Sequence, residues 1–516
     1  MALYRRTQVY CKHIYSQKYK CARTFSYSKK ILNEKKGLVV GVYVTDNEDD
    51  LKFTPAFKKI NEKCGGKLLE CTKLAISGVK VGKGQLFYNL DPQFPVVSVV
   101  GLGKEGTGYN EQENIHEGRE NARIAASVGC RQLRDIGITN IVLEGLGHPE
   151  AAAEGATLGV WQYEEFKNEK KQMKIPQLEL LENEDKCSWE RGVIKAEGQN
   201  LSRRLMDTPA NWKTPKIFSQ IVTETLNIGG VDVIVRDKSW AENKKMGAFL
   251  SVAKGSLEPP AFLEIKYMGD PNNSKPIALV GKGVTFDSGG LSLKKAENMD
   301  LMRGDVGGGS CVVGTIYAAA RLKLPVNIVG LVPLTENMPS GSANKPGDVV
   351  YAMNGKSITI IDTDYEGRLI LADALCYAQE FKPRFVINMA TLTLEILIAL
   401  GASASGAYSN STPLVESLCQ AGALSGDRVW RMPLWRYFSQ QVTNSQYSDL
   451  INLAGPMGGS CTAAAFLQEF MPKGDWIHLD IASVMGIGDT TPYLSKGMTG
   501  RPTRTLIEFI IKQING

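Results

Sequence analysis

Three short stretches of the sequence crowd charged side chains beside apolar segments. The first begins at Val280 (VGKGVTFDSGGLSLK) and the second at Asn298 (NMDLMRGDVGGG), and both are rich in glycine. The third begins at Ile361 (IDTDYEGRLILADAL) and has three carboxylates and an arginine at alternate positions directly before an apolar run. Carboxylates crowded in this way raise one another's pKa and destabilise a fold unless a cation neutralises them. The pattern therefore indicates metal-ion chemistry, with solvated polar loops as the alternative.

The choice of ligand atoms is narrowed by the scarcity of histidine. The chain has only four histidines, at positions 13, 116, 148 and 478, and no two of them have HExxH spacing. A zinc site built from histidines is thus excluded, and any metal must be held by oxygen or by a less usual donor. If the strand SITIID continues, Asp362, Asp364 and Glu366 share one face, because side chains alternate along a strand. The clusters are rich in glycine, which lets the backbone approach closely, and two of them lie at the end of an apolar strand. Both features favour a single site that the three clusters share.

The elements that must position these groups follow an α/β pattern. Apolar runs at 37–44 and 94–103 predict buried strands, while 114–137 and 151–171 predict helices on either side of a further strand, TNIVLEGLG. Strands that alternate with helices predict a largely parallel sheet. The GxGxxG stretch at 101–106 follows a strand, but its helix is delayed, so we interpret it as a tight turn and not as a dinucleotide site.

The chain of 516 residues is too long for one core. We predict the α/β fold class with two domains: an N-terminal α/β domain at 37–182, a connecting helix at 183–207, and a larger C-terminal α/β domain at 208–516 whose central sheet is mixed. Ten cysteines without a CxxC pair predict buried, reduced thiols. The expected strands of the second domain are PIALVGKGVTF, NIVGLVPL, SITIID, FVINMAT and WIHLDIAS.

The net charge of +6 is concentrated at the front of the chain. Residues 1–33 hold eight lysines and arginines and no acid, and the remainder is nearly neutral, which argues against nucleic acid or a membrane as a partner. The leader is also rich in serine and aromatic residues, which is typical of a mitochondrial transit peptide, and Arg23 stands third before a predicted cut after Phe25. We therefore predict a mitochondrial matrix protein. The alternative, a disordered basic tail, predicts a cytoplasmic one.

Beyond these patterns, several stretches resemble the leucine aminopeptidases of the M17, or cytosol aminopeptidase, family. The resemblance covers essentially all of 200–516, extends more loosely toward residue 37, and includes DTDYEGRL, a near copy of the family signature NTDAEGRL. It implies an N-terminal α/β domain, a C-terminal dinuclear-metal aminopeptidase domain, and a homohexamer whose active sites face an interior cavity. The other stretches are VGKGVTFDSGG, NMDLMRGDVGG, ENMPSGSANKPGDVV, GDRVWRMPL and KGMTGRPTRTLIEF.

The resemblance also implies the chemistry of the site. Two divalent ions, Zn²⁺ or Mn²⁺, would activate a water, bind the free amine of a peptide substrate and polarise the scissile carbonyl. Lys294 would face the oxyanion of the tetrahedral intermediate, and Arg368 would hold a bicarbonate ion that serves as the proton shuttle. Lys282 can ligate a metal only as a neutral amine, so a nearby cation must depress its pKa. The implied metal ligands are Lys282, Asp287, Asp305, Asp364 and Glu366.

The implied substrate pocket departs from the family at three positions. Asp362 stands where the family keeps asparagine, Tyr365 where it keeps alanine, and Leu394, followed by Glu395, where it keeps glycine. Overfilling a formed pocket typically costs ~1 to 3 kcal/mol, or roughly tenfold to a hundredfold in binding. The other implied pocket residues agree with the family: Met302, Thr391, Ala482 and Met485.

Two hypotheses about function follow. The first is a metal-dependent aminopeptidase of the leucyl type, with altered specificity, that releases N-terminal residues from peptides. The second is a catalytically impaired, metal-binding homohexamer with a structural role in mitochondria. The insect sperm-leucylaminopeptidases resemble this second picture, and the transit-like leader makes the chain similar to that branch. Because loss of function should also erode the metal ligands, the intact ligand set favours the enzyme.

Overall fold

A computed structural model describes the chain over residues 36–45, 51–75, 80–273, 275–455, 457–471, 473–486 and 491–515. The leader predicted at 1–33, with its cut near Phe25, lies outside these described residues. Two large sheets, each covered by helices, organise the rest of the chain.

The first sheet has six strands. With the separate β5–β6 ribbon, the strands of this part are β1 (Lys36–Val44), β2 (Leu51–Phe53), β3 (Gly84–Tyr88), β4 (Val96–Lys104), β5 (Tyr109–Asn110), β6 (Ile115–His116), β7 (Asn140–Leu143) and β8 (Gln177–Leu180). The order is β3-β4-β1-β7-β8, and β2 also pairs with β1. The pairs β4–β1, β1–β7 and β7–β8 are parallel, which confirms the predicted α/β pattern, and β3 is antiparallel to β4.

Among the described residues of this part, the α-helices are α1 (Pro55–Lys63), α2 (Lys67–Leu74), α3 (Glu117–Asp135) and α4 (Pro149–Val160). Because β4 ends at Lys104 and α3 begins only at Glu117, the GxGxxG stretch is a strand-exit turn, as predicted. The prediction of one helix over 151–171 is wrong in its second half, since α4 ends at Val160 and Trp161 is extended. The guanidinium of Arg203 lies 4.2 Å from the centre of the Trp161 ring, so a tertiary contact overrides the local preference for helix there.

A long helix, α5 (Lys186–Asp207), follows the first sheet. The Asp185 side chain begins it by accepting the backbone N–H of Ser188 at 3.0 Å. It ends before Thr208, because the proline that follows disfavours helical geometry in the residue before it. Helix α5 lies where the sequence predicts the connecting helix at 183–207. The domain limits at 182 and 207 remain predictions.

The second sheet has nine strands. With three strands of a smaller sheet, the strands of this part are β9 (Val231–Arg236), β10 (Ala261–Met268), β11 (Ile277–Gly281), β12 (Gly283–Asp287), β13 (Asn327–Asn337), β14 (Val349–Tyr351), β15 (Ser357–Thr359), β16 (Phe385–Ala390), β17 (Ser405–Ser409), β18 (Val429–Arg431), β19 (Leu450–Ile451) and β20 (Asp475–Asp480). The order of the large sheet is β18-β17-β20-β16-β11-β13-β10-β9, with β12 beside β13. Parallel and antiparallel pairs both occur, so the predicted mixed sheet is confirmed.

The helices of this second part are α6 (Pro215–Thr225), α7 (Lys238–Asn243), α8 (Gly247–Ala253), α9 (Gly307–Arg321), α10 (Glu366–Ala378), α11 (Leu394–Leu400), α12 (Thr412–Ser425), α13 (Arg436–Thr443), α14 (Gly459–Gln468) and α15 (Thr503–Asn515). Helix α10 is buried along its whole length, as its apolar sequence predicts. Within the described ranges, no helix is long and apolar enough to cross a membrane. The eight cysteines in those ranges are all free thiols.

Four neighbouring strands of the large sheet, β20, β16, β11 and β13, are parallel. Their carboxyl ends therefore meet at one edge, which is where α/β sheets bind ligands. The predicted strand PIALVGKGVTF is divided into β11 and β12, and Lys282 lies between the two. Its backbone N–H donates to the carbonyl of Met389, and its carbonyl accepts from Gly309. Lys282 is thus fixed at this edge by its own backbone.

Candidate metal centre

Five charged side chains from three separate stretches of the sequence meet at the carboxyl edge of the large sheet. Asp287, Asp364 and Glu366 each offer a carboxylate oxygen, and these oxygens lie within 4.8 Å of one another. The Lys282 ammonium joins them to Asp305, because its Nζ is 2.8 Å from Glu366 Oε1 and 2.7 Å from Asp305 Oδ2. The structure thus brings together all of the predicted metal ligands.

Three of the predicted ligands lie in or at the end of regular elements. Asp287 is the last residue of β12, Asp305 lies in a 3₁₀ helix over Met299–Val306, and Glu366 is the first residue of α10. Gly367 follows it, and a Cβ there would come within 2.9 Å of the Lys282 side chain. Glycine at 367 therefore lets α10 approach the lysine closely.

The predicted strand continuation through the third cluster is wrong. Strand β15 ends at Thr359, so Asp362, Asp364 and Glu366 do not share a strand face. Instead, Asp362 Oδ1 accepts the backbone N–H of Asp364 at 2.9 Å, which makes a turn that leads into α10. The short polar side chain of Asp362 competes with the strand ladder here, and the alternation rule fails.

The electrostatic balance of the site is unfavourable for its carboxylates. Burial, followed by the charge of Asp287, raises the pKa of Asp364 to about 7. The pKa of Asp305 and that of Glu366 are also raised, again by burial first and then by neighbouring carboxylates. Burial alone would lower the pKa of Lys282, but the surrounding carboxylates outweigh it and raise that pKa. The site therefore favours added positive charge.

The oxygen atoms that face the centre are suited to a divalent cation. Within the part of the chain that the structure describes, Asp305 Oδ2, Asp364 Oδ1 and Glu366 Oε1 are buried and accept no aligned hydrogen bond. Lysine ammonium groups lie 2.5 to 2.8 Å from these oxygens. Hard divalent cations bind carboxylate oxygens of this kind. The donor set therefore fits the metal ions that the sequence implies.

Lys294 lies at the mouth of the centre. Its Nζ is 2.8 Å from Asp287 Oδ2 and 2.5 Å from Asp364 Oδ1, and its side chain is 22% exposed. Burial would lower its pKa, but the carboxylates raise it, so the side chain is a cation. A partly exposed cation beside the carboxylates is accessible to a molecule that enters the site.

Arg368 is completely buried behind the centre. Its Nη1 donates to the carbonyl of Asn452 at 2.6 Å, whereas Nε and Nη2 have no partner among the described residues. The guanidinium carbon lies 4.6 Å from the centre of the Tyr365 ring. Burial lowers the pKa of Arg368 to about 10. Two unpaired donors on a buried guanidinium fit a planar oxyanion.

Two of the predicted pocket residues, Thr391 and Met485, lie beside Asp305 or its neighbour Gly304. Thr391 Oγ1 donates to Asp305 Oδ1 at 2.5 Å, so Thr391 is held against a predicted metal ligand. The sulfur of Met485 lies 3.3 Å from the point that a Cβ on Gly304 would occupy, beside Asp305 in sequence. Met302 and Ala482 are half-buried on the two short 3₁₀ segments nearby.

Two of the three unusual pocket residues behave differently from one another. Tyr365 is half-buried and covers one face of the Arg368 guanidinium. Leu394 begins α11 and is 66% exposed, so it borders the site and does not fill a formed pocket. The overfilling cost predicted from the sequence therefore does not apply to Leu394 in this chain.

Four polar residues that the sequence analysis missed support the centre. Asp480 ends β20, and its carboxylate accepts the backbone N–H of Leu392 at 3.2 Å and the hydroxyl of Thr393 at 2.6 Å. Asn337 lies three residues beyond the predicted strand NIVGLVPL and Asp480 lies inside the predicted strand WIHLDIAS, so no strand-end signal marked either of them. Lys213 and Asn452 lie in loops with no such signal. The missed residues are Lys213, Asn337, Asn452 and Asp480.

The fold and the donor set define the class of protein, a two-domain α/β protein with a carboxylate–lysine centre. Models of the cytosol aminopeptidase family match the chain at 39–170, for the N-terminal domain, and at 200–507, for the catalytic domain. The chain is 53% identical to the cytosol aminopeptidase of Bos taurus and 51% identical to that of Homo sapiens, and each match covers 92% of both chains. The chain therefore belongs to the cytosol aminopeptidase family, the metalloaminopeptidases of the leucine aminopeptidase type.

A solved structure is also similar to this chain. The bottromycin maturation enzyme BotP superposes with a TM-score of 0.79 at 29% sequence identity, and the match covers 94% of this chain and 100% of that one. A structure of BotP in complex with Mn matches equally well, with a TM-score of 0.79. This similarity supports a divalent metal cofactor.

Proposed function

We propose that this chain is a leucyl-type aminopeptidase that releases N-terminal residues from peptides with the help of two divalent metal ions. The observation that carries the proposal is the convergence of buried carboxylate oxygens that lack aligned hydrogen bonds. The residues that would hold the ions are Lys282, Asp287, Asp305, Asp364 and Glu366. When bound, such ions activate a water and polarise a carbonyl.

The other side chains of the site have distinct tasks in this proposal. Lys294 remains a cation at the mouth, where it stabilises the oxygen that becomes negative when the scissile carbonyl is attacked. Arg368 offers its unpaired Nε and Nη2 to a bicarbonate ion, which would move the proton in place of a protein base. The exposed and half-buried residues of the rim orient the peptide, and we propose zinc or manganese as the metal.

The direct test uses the full-length chain with Mn²⁺ or Zn²⁺ and a leucine anilide, with bound metal measured in parallel. We expect two metal ions per subunit and turnover that a chelator abolishes. The Asp300→Asn variant should bind metal and turn over substrate as the wild type does, because Asp300 is an exposed acid of the same segment as Asp305 and pairs with Arg303 instead of the centre. Two bound metal ions without turnover would contradict the proposed activity on leucine substrates.

A second candidate function is a catalytically impaired, metal-binding homohexamer with a structural role. The position of the Tyr365 ring, which covers the guanidinium of Arg368, favours it, because a covered guanidinium is less open to bicarbonate. Light scattering on the metal-loaded protein would then give six times the subunit mass, together with no turnover. A monomer under the same conditions would count against both the structural candidate and the proposed hexamer.

We propose further that the protein acts in the mitochondrial matrix. The support is the sequence of the leader, which is basic, free of acids and closed by an Arg23–Phe25 pattern typical of matrix processing. Fractionation followed by N-terminal sequencing tests this. A mature chain that begins after Phe25 in the matrix fraction is expected, and an uncut chain in the cytoplasm would contradict it.

A further inference from the structure

Asn337 connects two of the carboxylates of the centre although it carries no charge itself. It is the last residue of β13 and is buried. Its side-chain Nδ2 lies 2.8 Å from Asp287 Oδ1 and 3.4 Å from Glu366 Oε2. We propose that Asn337 is a positioning residue that orients Asp287 and Glu366 for metal binding. This inference rests on the proposed metal-dependent function.

The orientation of the Asn337 amide is fixed by its surroundings. Besides the two carboxylates, Nδ2 also faces the backbone carbonyl of Thr363 at 3.1 Å. All three neighbours are acceptors, so the NH₂ group and not the carbonyl oxygen must face them. Its two N–H groups donate to Asp287 and Thr363 at the shorter distances. The longer contact to Glu366 shares one of these N–H groups.

The backbone of Asn337 joins the same elements. Its carbonyl accepts from the backbone N–H of Ser288 at 2.9 Å and from the Ser288 hydroxyl at 2.7 Å. Thr363, on the other side, donates its hydroxyl to the carbonyl of Gly289 at 2.7 Å. Asn337 therefore links the loop that follows Asp287 to the turn that contains Asp364 and leads into Glu366.

The choice of a neutral donor has a consequence for metal affinity. Close carboxylates repel one another. A donor that bridges them reduces the free-energy cost of holding them together. A lysine at 337 would do so by cancelling charge, whereas the amide leaves the charge intact. It also engages Oδ1 of Asp287 and Oε2 of Glu366 and leaves the opposite oxygens, Oδ2 and Oε1, directed at Lys294 and Lys282. The oxygens at the centre thus stay available to a cation.

Manganese affinity tests this role independently of turnover. We would measure Mn²⁺ binding to the full-length chain by competition with a chromophoric chelator, for the wild type and for Asn337→Leu, which keeps the side-chain size but removes the donor. Asn337→Ala is a second variant in case the larger one folds poorly. Outer groups that hold metal ligands typically contribute 10- to 100-fold in affinity, so both variants should bind Mn²⁺ weaker by about that factor.

The control is Asn344→Ala, because Asn344 is also buried and its amide donates to Ser251, away from the centre. It should bind Mn²⁺ as the wild type does. Asn337 variants that melt like the wild type in chelator and bind Mn²⁺ with unchanged affinity would overturn the proposal. A wild-type chain that binds Mn²⁺ but hydrolyses no peptide would refute the proposed function alone, and the affinity comparison would still decide the role of Asn337.

Discussion

Two clusters of buried charge in this chain use the same residue types in opposite ways. The helix cluster lies where α3, α4, α5 and α15 meet, and it pairs three carboxylates with three cations. The site cluster, at the carboxyl edge of the large sheet, sets four carboxylates against two lysines. The helix cluster is Arg123, Glu150, Glu154, Lys195, Arg504 and Glu508; the site cluster is Lys282, Asp287, Lys294, Asp305, Asp364 and Glu366.

The pKa values of the acids differ accordingly. Burial alone would raise the pKa of Glu154, but Arg123 and Arg504 hold it at about 2. Glu154 Oε2 accepts from Arg123 Nε at 2.8 Å and from Arg504 Nη1 at 2.6 Å. In the site cluster the pKa of Asp364 is instead raised to about 7, with burial as the largest cause. The charges of the helix cluster balance one another, whereas the site cluster has fewer cations than carboxylates.

This difference shows what separates a candidate metal site from an ordinary cluster of buried acids. In both clusters three carboxylate oxygens lie within 4.8 Å of one another, so proximity alone does not separate them. The supply of protein cations does, because an acid already paired with arginine gains little from a metal ion. Close carboxylates therefore indicate metal binding only where the protein leaves them unbalanced.

The largest expected effect comes from Glu366→Gln in the site cluster. Removal of one metal ligand should cost several kcal/mol of transition-state stabilisation, or roughly a thousandfold in kcat/KM. The melting temperature in chelator should not fall, because the change removes an excess buried negative charge. Leucine anilide hydrolysis and calorimetry measure the two quantities. Activity within about tenfold of the wild type would contradict the ligand assignment.

Glu154→Gln should show the opposite behaviour. It leaves Arg123 and Arg504 without their shared carboxylate, so the free energy of unfolding should fall by about 3 to 5 kcal/mol in urea denaturation. The kcat/KM of the folded protein should stay the same. Glu380→Gln is the control, since it breaks an exposed ion pair with Lys244 and should cost less than about 1 kcal/mol. Equal losses from the two substitutions would contradict the role of the helix cluster.

Acid should act on the helix cluster through Glu154. Because its pKa falls from the ordinary 4.5 to about 2 on folding, its stabilisation is complete above pH 4.5 and is lost as the pH falls toward 2. The loss should be roughly 3 kcal/mol. Urea midpoints measured at several pH values, in chelator, should show this acid dependence in the wild type and a flatter profile in Glu154→Gln. Parallel profiles in the two proteins would refute it.

The smallest effect concerns the rim of the site. Tyr365→Ala, alone or combined with Leu394→Gly, uncovers the Arg368 guanidinium and should raise kcat/KM by roughly tenfold, whereas removal of the exposed Leu394 side chain should add little. Tyr365→Phe keeps the ring over Arg368 and should leave kcat/KM unchanged. Unchanged kinetics of the double variant, with metal bound, would show that these residues do not limit the enzyme.

Much of the fold was predictable because several of its strands are long, apolar runs. The runs that became β1, β4, β13 and β16 were predicted within a few residues. The failures have local causes. The helix predicted beyond Val160 yields to the contact between Trp161 and Arg203, and the strand predicted beyond Thr359 yields to the turn at Asp362. Such tertiary and side-chain contacts do not appear in hydrophobic periodicity.

The site shows the same division between local and distant information. Clusters of charge at strand ends indicated a shared centre, and the structure brings Lys282, Asp305 and Glu366 into contact. The dependence on Asn337 was not visible, because one asparagine at the end of a strand carries no local pattern. Its importance arises only when the sheet order places β13 beside β11 and β12.

Anomalous diffraction from crystals soaked in Mn²⁺ would test the central claim most directly. The unbalanced carboxylates should give two peaks of anomalous density beside Asp287, Asp305, Asp364 and Glu366. The balanced acids Glu150, Glu154 and Glu508 should give none, although their oxygens are equally close. A site cluster without manganese, or a helix cluster that binds it equally well, would contradict the account.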